Sequence, residues 1–175
     1  MGRSDKFSRF ETAVLPHLDA AYNLARWLLH NEAEAADAVQ DACVRALRFI
    51  GSLRGDNGRV WLLMIVRNTC YSRLKREKPR ESDSEFDDEL HSPEPEINNP
   101  ERLLERSREG QVLRQALAEL PEELRETIVM RELDGMAYKE IADIAGIPLG
   151  TVMSRLARGR KRLQQALIRP TRREV

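Results

Sequence analysis

Hydrophobic residues in the first part of the chain recur at the three- and four-residue spacing of amphipathic helices. One set is Phe10, Val14, Leu18, Ala21, Ala25 and Leu28; after a break at His30-Asn31, a second set is Ala36, Val39, Cys43, Leu47 and Ile50. A third run, VWLLMIVRNTCYSRLKRE, begins near Val60 and ends before Pro79. No stretch alternates apolar and polar residues over the length of a strand, so the pattern predicts an all-α module.

A second helical module is predicted toward the other end of the chain. One helical face comprises Val112, Leu113, Ala116, Leu117 and Leu120, and after Pro121 the next comprises Leu124, Ile128 and Leu133. In the following stretch, YKEIADIAGIPLGTVMSRL, Ala142, Gly146 and Val152 come 4, 8 and 14 residues after Tyr138. A small alanine lets two helices cross closely, and a glycine can adopt the positive φ of a tight turn. The spacing therefore predicts a helix-turn-helix whose second helix covers residues 149–167.

Charge is distributed unevenly along the chain, although the formal net charge is zero. Residues 1–80 carry 14 basic and 9 acidic side chains, and residues 106–175 carry 14 and 10. Residues 81–105 carry 1 basic and 10 acidic side chains, together with Pro93, Pro95 and Pro100. A segment so acidic and so poor in large apolar residues is typical of a flexible linker. Two basic modules joined by an acidic linker are expected.

Composition excludes several classes of protein. No apolar run approaches the roughly 20 residues that span a bilayer, and the N-terminus lacks the apolar core of a signal peptide, so we expect a cytoplasmic protein without membrane insertion. Cys43 and Cys70 have neither a CxxC spacing nor a clustered histidine, which favours buried thiols over a disulfide or a zinc site. We predict no metal, no cofactor, no catalytic residue and no enzymatic activity.

The second helix of the predicted helix-turn-helix is rich in basic residues. Thr151, Ser154, Arg155 and Arg158 occupy its first turns, where such a helix presents side chains to base edges and phosphates. Arg160, Lys161 and Arg162 follow, and they would add attraction that is independent of sequence and sensitive to salt. A basic run alone is typical of a solvated helix face. The helix-turn-helix spacing ahead of it favours contact with DNA.

Three stretches of the sequence resemble parts of a known family. ALAELPEELRETIVMRELDGMAYKEIADIAGIPLGTVMSRLARGRKRL resembles region 4 of the extracytoplasmic-function (ECF) sigma factors of the sigma-70 family. EAADAVQDACVRALRFI resembles region 2.2, and GRVWLLMIVRNTCYSRLKRE resembles regions 2.3 and 2.4. The resemblance implies a region 2 domain over 1–79, a linker over 80–105 and a region 4 domain over 106–175. It also implies a factor that docks on core RNA polymerase, recognises the -35 and -10 promoter elements and promotes promoter opening.

The resemblance also implies roles for particular residues. Core polymerase, through the coiled coil of its β′ subunit, would bind Asp37, Val39, Gln40 and Asp41. Asn68 would read a base of the -10 element, and Arg67, Arg73, Lys75 and Arg76 would hold phosphates of the opened strand. Trp61 we interpret as a core residue rather than a base-stacking one. The implied partners are core RNA polymerase, including its β subunit, promoter DNA and, as for many family members, an anti-sigma factor.

Two other functions fit parts of the sequence. A conventional helix-turn-helix repressor would bind palindromic half-sites as a dimer, but it leaves the acidic helix at 32–50 unexplained. A metal-dependent nucleic-acid hydrolase could use Asp37 and Asp41, but no third ligand, nucleophile or phosphate-binding loop accompanies them. Without the family resemblance, those two carboxylates would be interpreted as a solvated helix face.

Overall fold

The computed structural model describes residues 2–77 and 107–168, and every regular element within these ranges is helical. The predicted all-α fold with two small helical domains is confirmed. The acidic linker predicted over 80–105 lies outside the described residues, as do the residues after Ile168.

The N-terminal domain is built from four helices and two short 3-10 turns. They are α1 (Arg3–Ala13), a turn at Leu15–His17, α2 (Leu18–Leu29), α3 (Glu32–Arg48), a turn at Ile50–Ser52 and α4 (Gly58–Glu77). Helix α2 is followed by His30, which has a left-handed φ of 56°. Asn31 then caps α3, its side chain accepting a hydrogen bond of 2.9 Å from the backbone N–H of Glu34. This sharp reversal explains the break in the helical pattern.

Helix α3 buries a different face from the one that the sequence predicted. Its fully buried residues are Ala35, Ala38, Ala42 and Ala46. Of the predicted face, Val39 and Cys43 are half-buried, whereas Ala36 and Leu47 are exposed. The prediction was therefore wrong for Ala36 and Leu47, whereas Val39 and Cys43 pack against the edge of the core and Ile50, which follows the helix, is fully buried. Alanines instead allow α3 to lie close against α2 and α4, and this close approach leaves little room for longer side chains.

The start of α4 is fixed by a close approach of backbones. A Cβ atom added to Gly58 would lie 2.0 Å from the carbonyl oxygen of Ala13 at the end of α1. No side chain fits in that space, so glycine is required here for packing rather than for a turn.

The C-terminal domain contains the predicted helix-turn-helix. Its elements are α5 (Arg108–Ala118), α6 (Glu122–Ile128), a π-helical turn at Val129–Leu133, α7 (Tyr138–Ala145) and α8 (Leu149–Ile168). Gly146 follows α7 with a φ of 66°, as the turn requires, and Val152 is fully buried between the helices. The second helix, predicted over 149–167, is confirmed to within one residue.

Helices α6 and α8 cross at a glycine in the middle of α8. A Cβ atom added to Gly159 would lie 2.8 Å from Cγ1 of Ile128. On the same face, Val152 and Leu156 are buried. This face of α8 is therefore committed to the domain core, and the opposite face is left for solvent or a partner.

The two domains pack against each other. Helix α4 contacts α7, and α2 contacts α6. Buried apolar residues of both domains belong to one continuous cluster. The sequence predicted two tethered domains but did not predict this interface.

Candidate nucleic-acid and protein interfaces

The exposed face of α8 carries part of the predicted DNA-binding set. Ser154, Arg158, Lys161 and Arg162 are exposed, and Thr151 is half-buried. Met153 and Ala157 complete the exposed face near the start of the helix. The small side chains of Ser154 and Ala157, with basic residues beside them, allow this part of the helix to approach the floor of a DNA groove.

Two of the predicted arginines have partners within the C-terminal domain. The side chain of Arg155 is only 13% exposed, and its Nη2 lies 3.5 Å from a carboxylate oxygen of Glu123. Arg160 donates hydrogen bonds of 2.9 and 2.7 Å to a carboxylate oxygen of Glu132. Arg158, Lys161 and Arg162 are thus the more accessible cations of this helix.

A second candidate surface lies on α3. Asp37, Gln40 and Asp41 are exposed, and they fall on one side of the helix with Val44. Val44 is 57% exposed, although it is apolar. Val39, predicted with this group, is half-buried. Sequence reasoning missed Val44, and the signal that could have found it is its position four residues after Gln40 and three after Asp41.

The predicted -10 residues on α4 have different environments. Asn68, Lys75 and Arg76 are exposed. Arg67 is largely covered: its Nε and Nη2 donate hydrogen bonds of 2.8 and 2.9 Å to the two carboxylate oxygens of Glu126. Its guanidinium also lies 4.3 Å from the centre of the Tyr71 ring.

An ion pair connects the surfaces on α3 and α4. The Nη2 atom of Arg73 donates to a carboxylate oxygen of Asp41. The sequence assigned Arg73 to DNA and Asp41 to polymerase, and the fold brings the two side chains together across helices 32 residues apart in sequence.

The remaining candidate residues, Cys43, Cys70 and Trp61, pack within the fold. Cys70 is buried, and burial raises the pKa of its thiol to about 12. Cys43 is half-buried, and burial raises its thiol pKa as well. Trp61 is half-buried against the core, which agrees with its interpretation as a packing residue. In the described ranges, no cluster of three or more His, Cys, Asp or Glu side chains could hold a metal ion.

These features define a class: an all-helical protein of two domains, one of which presents a helix-turn-helix with a basic exposed face. The sequence profile described as "Sigma-70 region 2" matches residues 13–80, and the profile described as "Sigma-70, region 4" matches residues 110–163. The chain therefore belongs to the sigma-70 family of transcription initiation factors.

Curated relatives narrow the group within that family. The chain is 34% identical over 173 residues to the RNA polymerase sigma-H factor of Pseudomonas aeruginosa, covering 94% of this chain and 89% of that one. It is 38% identical over 146 residues to the ECF RNA polymerase sigma-E factor of Escherichia coli K12, covering 78% and 76% of the two chains. It is accordingly a sigma factor of the ECF type, which acts in promoter recognition and transcription initiation.

Solved structures show the same fold. The chain resembles the sigma factor RpoE of Bartonella quintana, whose structure is a complex with the anti-sigma factor NepR, with a TM-score of 0.72 and 32% identity. That match covers 90% of this chain and 96% of the other. CnrH, solved with the cytosolic domain of CnrY, shares the fold with a TM-score of 0.63 and 24% identity over 90% and 86% of the chains.

Among the residues that the structure describes, none of the helices has the length and apolarity needed to cross a membrane.

Proposed function

We propose that this sigma factor docks on core RNA polymerase through the exposed face of α3 and selects promoters with two tethered DNA-binding helices. The observation that carries the proposal is the placement of exposed polar and basic side chains on α3, α4 and α8. These helices belong to two domains, each of which matches a sigma-70 region. The factor acts by binding, without covalent chemistry of its own. It works in the cytoplasm, where transcription takes place.

Helix α8 reads the -35 element in the major groove. Ser154 and Arg158 lie on its exposed early turns, where a recognition helix approaches base edges. Lys161 and Arg162 contact phosphates beside the groove, which adds attraction that is sensitive to salt. Arg155 reaches DNA only if it leaves Glu123, because its side chain is largely covered in the domain.

Helix α4 reads the -10 element in its opened form. The exposed amide of Asn68 can pair with the edge of an unstacked base. Lys75 and Arg76, exposed at the end of α4, hold the phosphates of the separated strand. Capture of a single strand favours the melted promoter, which is how binding alone promotes opening.

Polymerase docking uses Asp37, Gln40 and Asp41, which share one side of α3. Their carboxylates and amide suit arginines of a partner helix, here the β′ coiled coil, and Val44 adds an apolar contact beside them. The β subunit would support the C-terminal domain. An anti-sigma factor is a further proposed partner, since the similar Bartonella quintana factor was solved in complex with one. Tethering by polymerase makes the second DNA contact intramolecular, so two weak modules select a promoter together.

The test measures polymerase binding and the DNA that the complex selects. Asp37→Arg combined with Asp41→Arg should abolish binding to core polymerase, because reversed charges repel an arginine-bearing partner by several kcal/mol. The matched control is Glu11→Arg with Asp19→Arg, which makes the same charge change at exposed positions of α1 and α2.

Titration of labelled protein with core polymerase gives the affinities, and sequencing of the DNA bound by the complex gives the promoter elements. Equal polymerase affinity for both double variants would show that α3 is not the docking surface. Bound DNA without paired -35 and -10 elements would contradict the roles of α4 and α8.

A further inference from the structure

An apolar stripe runs along one exposed side of α8 at its start. Leu149, Met153 and Ala157 follow one another at intervals of four residues, so they lie in a row along the helix. Leu149 is 49% exposed and Met153 is 53% exposed, and Ala157 is exposed as well. Single apolar residues are ordinary on a protein surface, but three in a row form a continuous patch. Such a patch indicates a surface that a partner covers.

The core of the domain does not use this stripe. Helix α8 packs against the domain through Val152, Leu156 and Gly159, which are all buried. Consecutive residues are about 100° apart around an α-helix, so Met153 points away from the direction of Val152. The side chain of Met153 is therefore available to a partner outside the domain.

The charges around the stripe indicate the kind of partner. Arg158, Lys161 and Arg162 are exposed on the same helix, and α8 contains no acidic residue over its 20 residues. Exposed cations attract the phosphates of DNA. Between those phosphates, the floor of the major groove carries the methyl groups of thymine. DNA thus offers both the charge and the apolar surface that this part of α8 complements.

Small residues beside Met153 allow its side chain to reach the floor of the groove. Gly150 has no side chain, and no atom lies within 4 Å of the position that a Cβ would take there. Ser154 and Ala157 are small and exposed. The longer side chain of Met153 therefore extends beyond these neighbours toward a bound base.

The chemistry of methionine selects among the bases. Thymine is the base that presents a methyl group in the major groove, whereas the edges of the other three present only hydrogen-bond donors and acceptors. A methionine donates no hydrogen bond and its sulfur is a weak acceptor, so a polar base edge beneath it would lose water without gaining a partner. Contact with a thymine methyl instead removes apolar surface of both groups from water.

We propose that Met153 reads the C5 methyl group of a thymine in the -35 element, with Ala157 packed beside it. This inference rests on the proposed function, since it names a base that α8 selects. Met153 is thus a specificity-determining residue, and it acts through apolar contact rather than through charge. Burial of one methyl group corresponds to an affinity difference of about fourfold between DNA with and without it.

The first experiment identifies the base. The full chain in complex with core polymerase selects duplexes from a library that is randomised across both promoter elements, and the bound DNA is sequenced. The wild-type protein should enrich thymine in the -35 element. Met153→Ala should lose the preference for thymine at one position and keep the preferences at the others.

Leu167→Ala is the matched control. Leu167 is 43% exposed on the same helix, about 21 Å further along its axis than Met153. The control removes a similar apolar side chain outside the proposed contact, so it should keep every base preference of the wild-type protein.

The second experiment removes only the methyl group. Each thymine of the selected -35 element is replaced in turn by deoxyuridine, which pairs in the same way but has no C5 methyl. One replacement should lower the affinity of the wild-type complex about fourfold, measured by the anisotropy of a fluorescent duplex. The same replacement should have no effect on Met153→Ala, because the methyl group has already lost its partner. Leu167→Ala should show the fourfold loss of the wild-type protein.

A salt titration separates this contact from attraction between charges. Neither deoxyuridine nor Met153→Ala changes a charge, so the logarithm of the binding constant should depend on the logarithm of salt concentration as in the wild-type complex. A weaker dependence on salt in Met153→Ala would count against the inference, because it would mean that Met153 supports contacts to phosphate. Circular dichroism verifies that each variant is folded.

Three results would overturn the inference. They are a -35 element without thymine, an equal effect of deoxyuridine on the wild-type protein and Met153→Ala, and weaker binding of Met153→Ala to core polymerase alone. The last result would assign the stripe to a protein partner. Failure of the proposed function would look different, because the bound DNA would then contain no -35 element at all. A -35 element whose thymine preference does not depend on Met153 would leave the proposed function in place.

Discussion

At the scale of single residues, Arg125 shows how a buried charge can organise the fold. Its Nε donates to the carbonyl of Leu117 at 3.0 Å, and its Nη2 donates to those of Ala118 and Leu120. Its Nη1 donates to the carbonyl of Trp27 at 3.1 Å and contacts Nε2 of His30 at 2.6 Å. These groups lie at the ends of α5 and α2, where helical carbonyls lack partners within the helix. One guanidinium therefore caps two helices from different domains.

A prediction at the same scale concerns the basic residues of α8. Arg158→Ala should weaken binding to a matched promoter by about 1–3 kcal/mol and reduce discrimination against a scrambled -35 element, as expected for a lost base contact. Arg162→Ala should weaken binding to both DNAs about equally. It should also lower the slope of the logarithm of the binding constant against the logarithm of salt concentration by about one. Salt titrations of each variant, in complex with core polymerase, against the two DNAs measure both effects. If the two variants behave alike, Arg158 contributes only charge attraction that does not depend on the DNA sequence.

At the scale of elements, the crossing of α6 and α8 depends on the missing side chain of Gly159. Gly159→Ala should destabilise the C-terminal domain by about 1–3 kcal/mol, because the added Cβ would meet Ile128 and push the helices apart. Chemical denaturation followed by circular dichroism gives the free energy of unfolding.

Gly150→Ala is the matched control in the same helix, because no atom lies within 4 Å of the Cβ that it adds. Alanine exceeds glycine in helix propensity, so this control should be neutral or stabilising by up to about 1 kcal/mol. A Gly159→Ala protein as stable as Gly150→Ala would mean that α6 and α8 can move apart at little cost in free energy.

At the scale of the whole molecule, the interface between the domains should respond to pH. A guanidinium can only donate, so the Nε2 atom of His30 accepts from Arg125 and carries no proton. Burial, the charge of Arg125 and more weakly Arg114 lower the pKa of His30 below its usual 6.5, and Glu122 opposes this shift. Protonation of His30 therefore weakens the contact between the two domains. The free energy that holds the domains together should fall as the pH drops through about 6.5, and it should stop changing below the lowered pKa of His30.

Small-angle X-ray scattering above and below that pH range tests this response. The radius of gyration should increase on the acid side, because the domains separate. His30→Asn is the control: asparagine tolerates the left-handed φ of 56°, can accept a hydrogen bond and does not titrate in this range. The pKa of His17 is also lowered, by burial and by Arg59, so the control separates the two histidines. A pH response that persists in His30→Asn would show that a group other than His30 causes it.

The sequence by itself determined the helices, the helix-turn-helix and the family. Helical periodicity and the Ala142, Gly146, Val152 spacing involve residues only a few turns apart, so they can be recognised without a fold. Only the tertiary structure decided which face of α3 is buried, because that depends on how closely its neighbours approach. It also decided that Arg67 and Arg125 are interface residues. Their partners Glu126 and His30 lie 59 and 95 positions away, and contacts at such separations are set by the packing of domains rather than by local pattern.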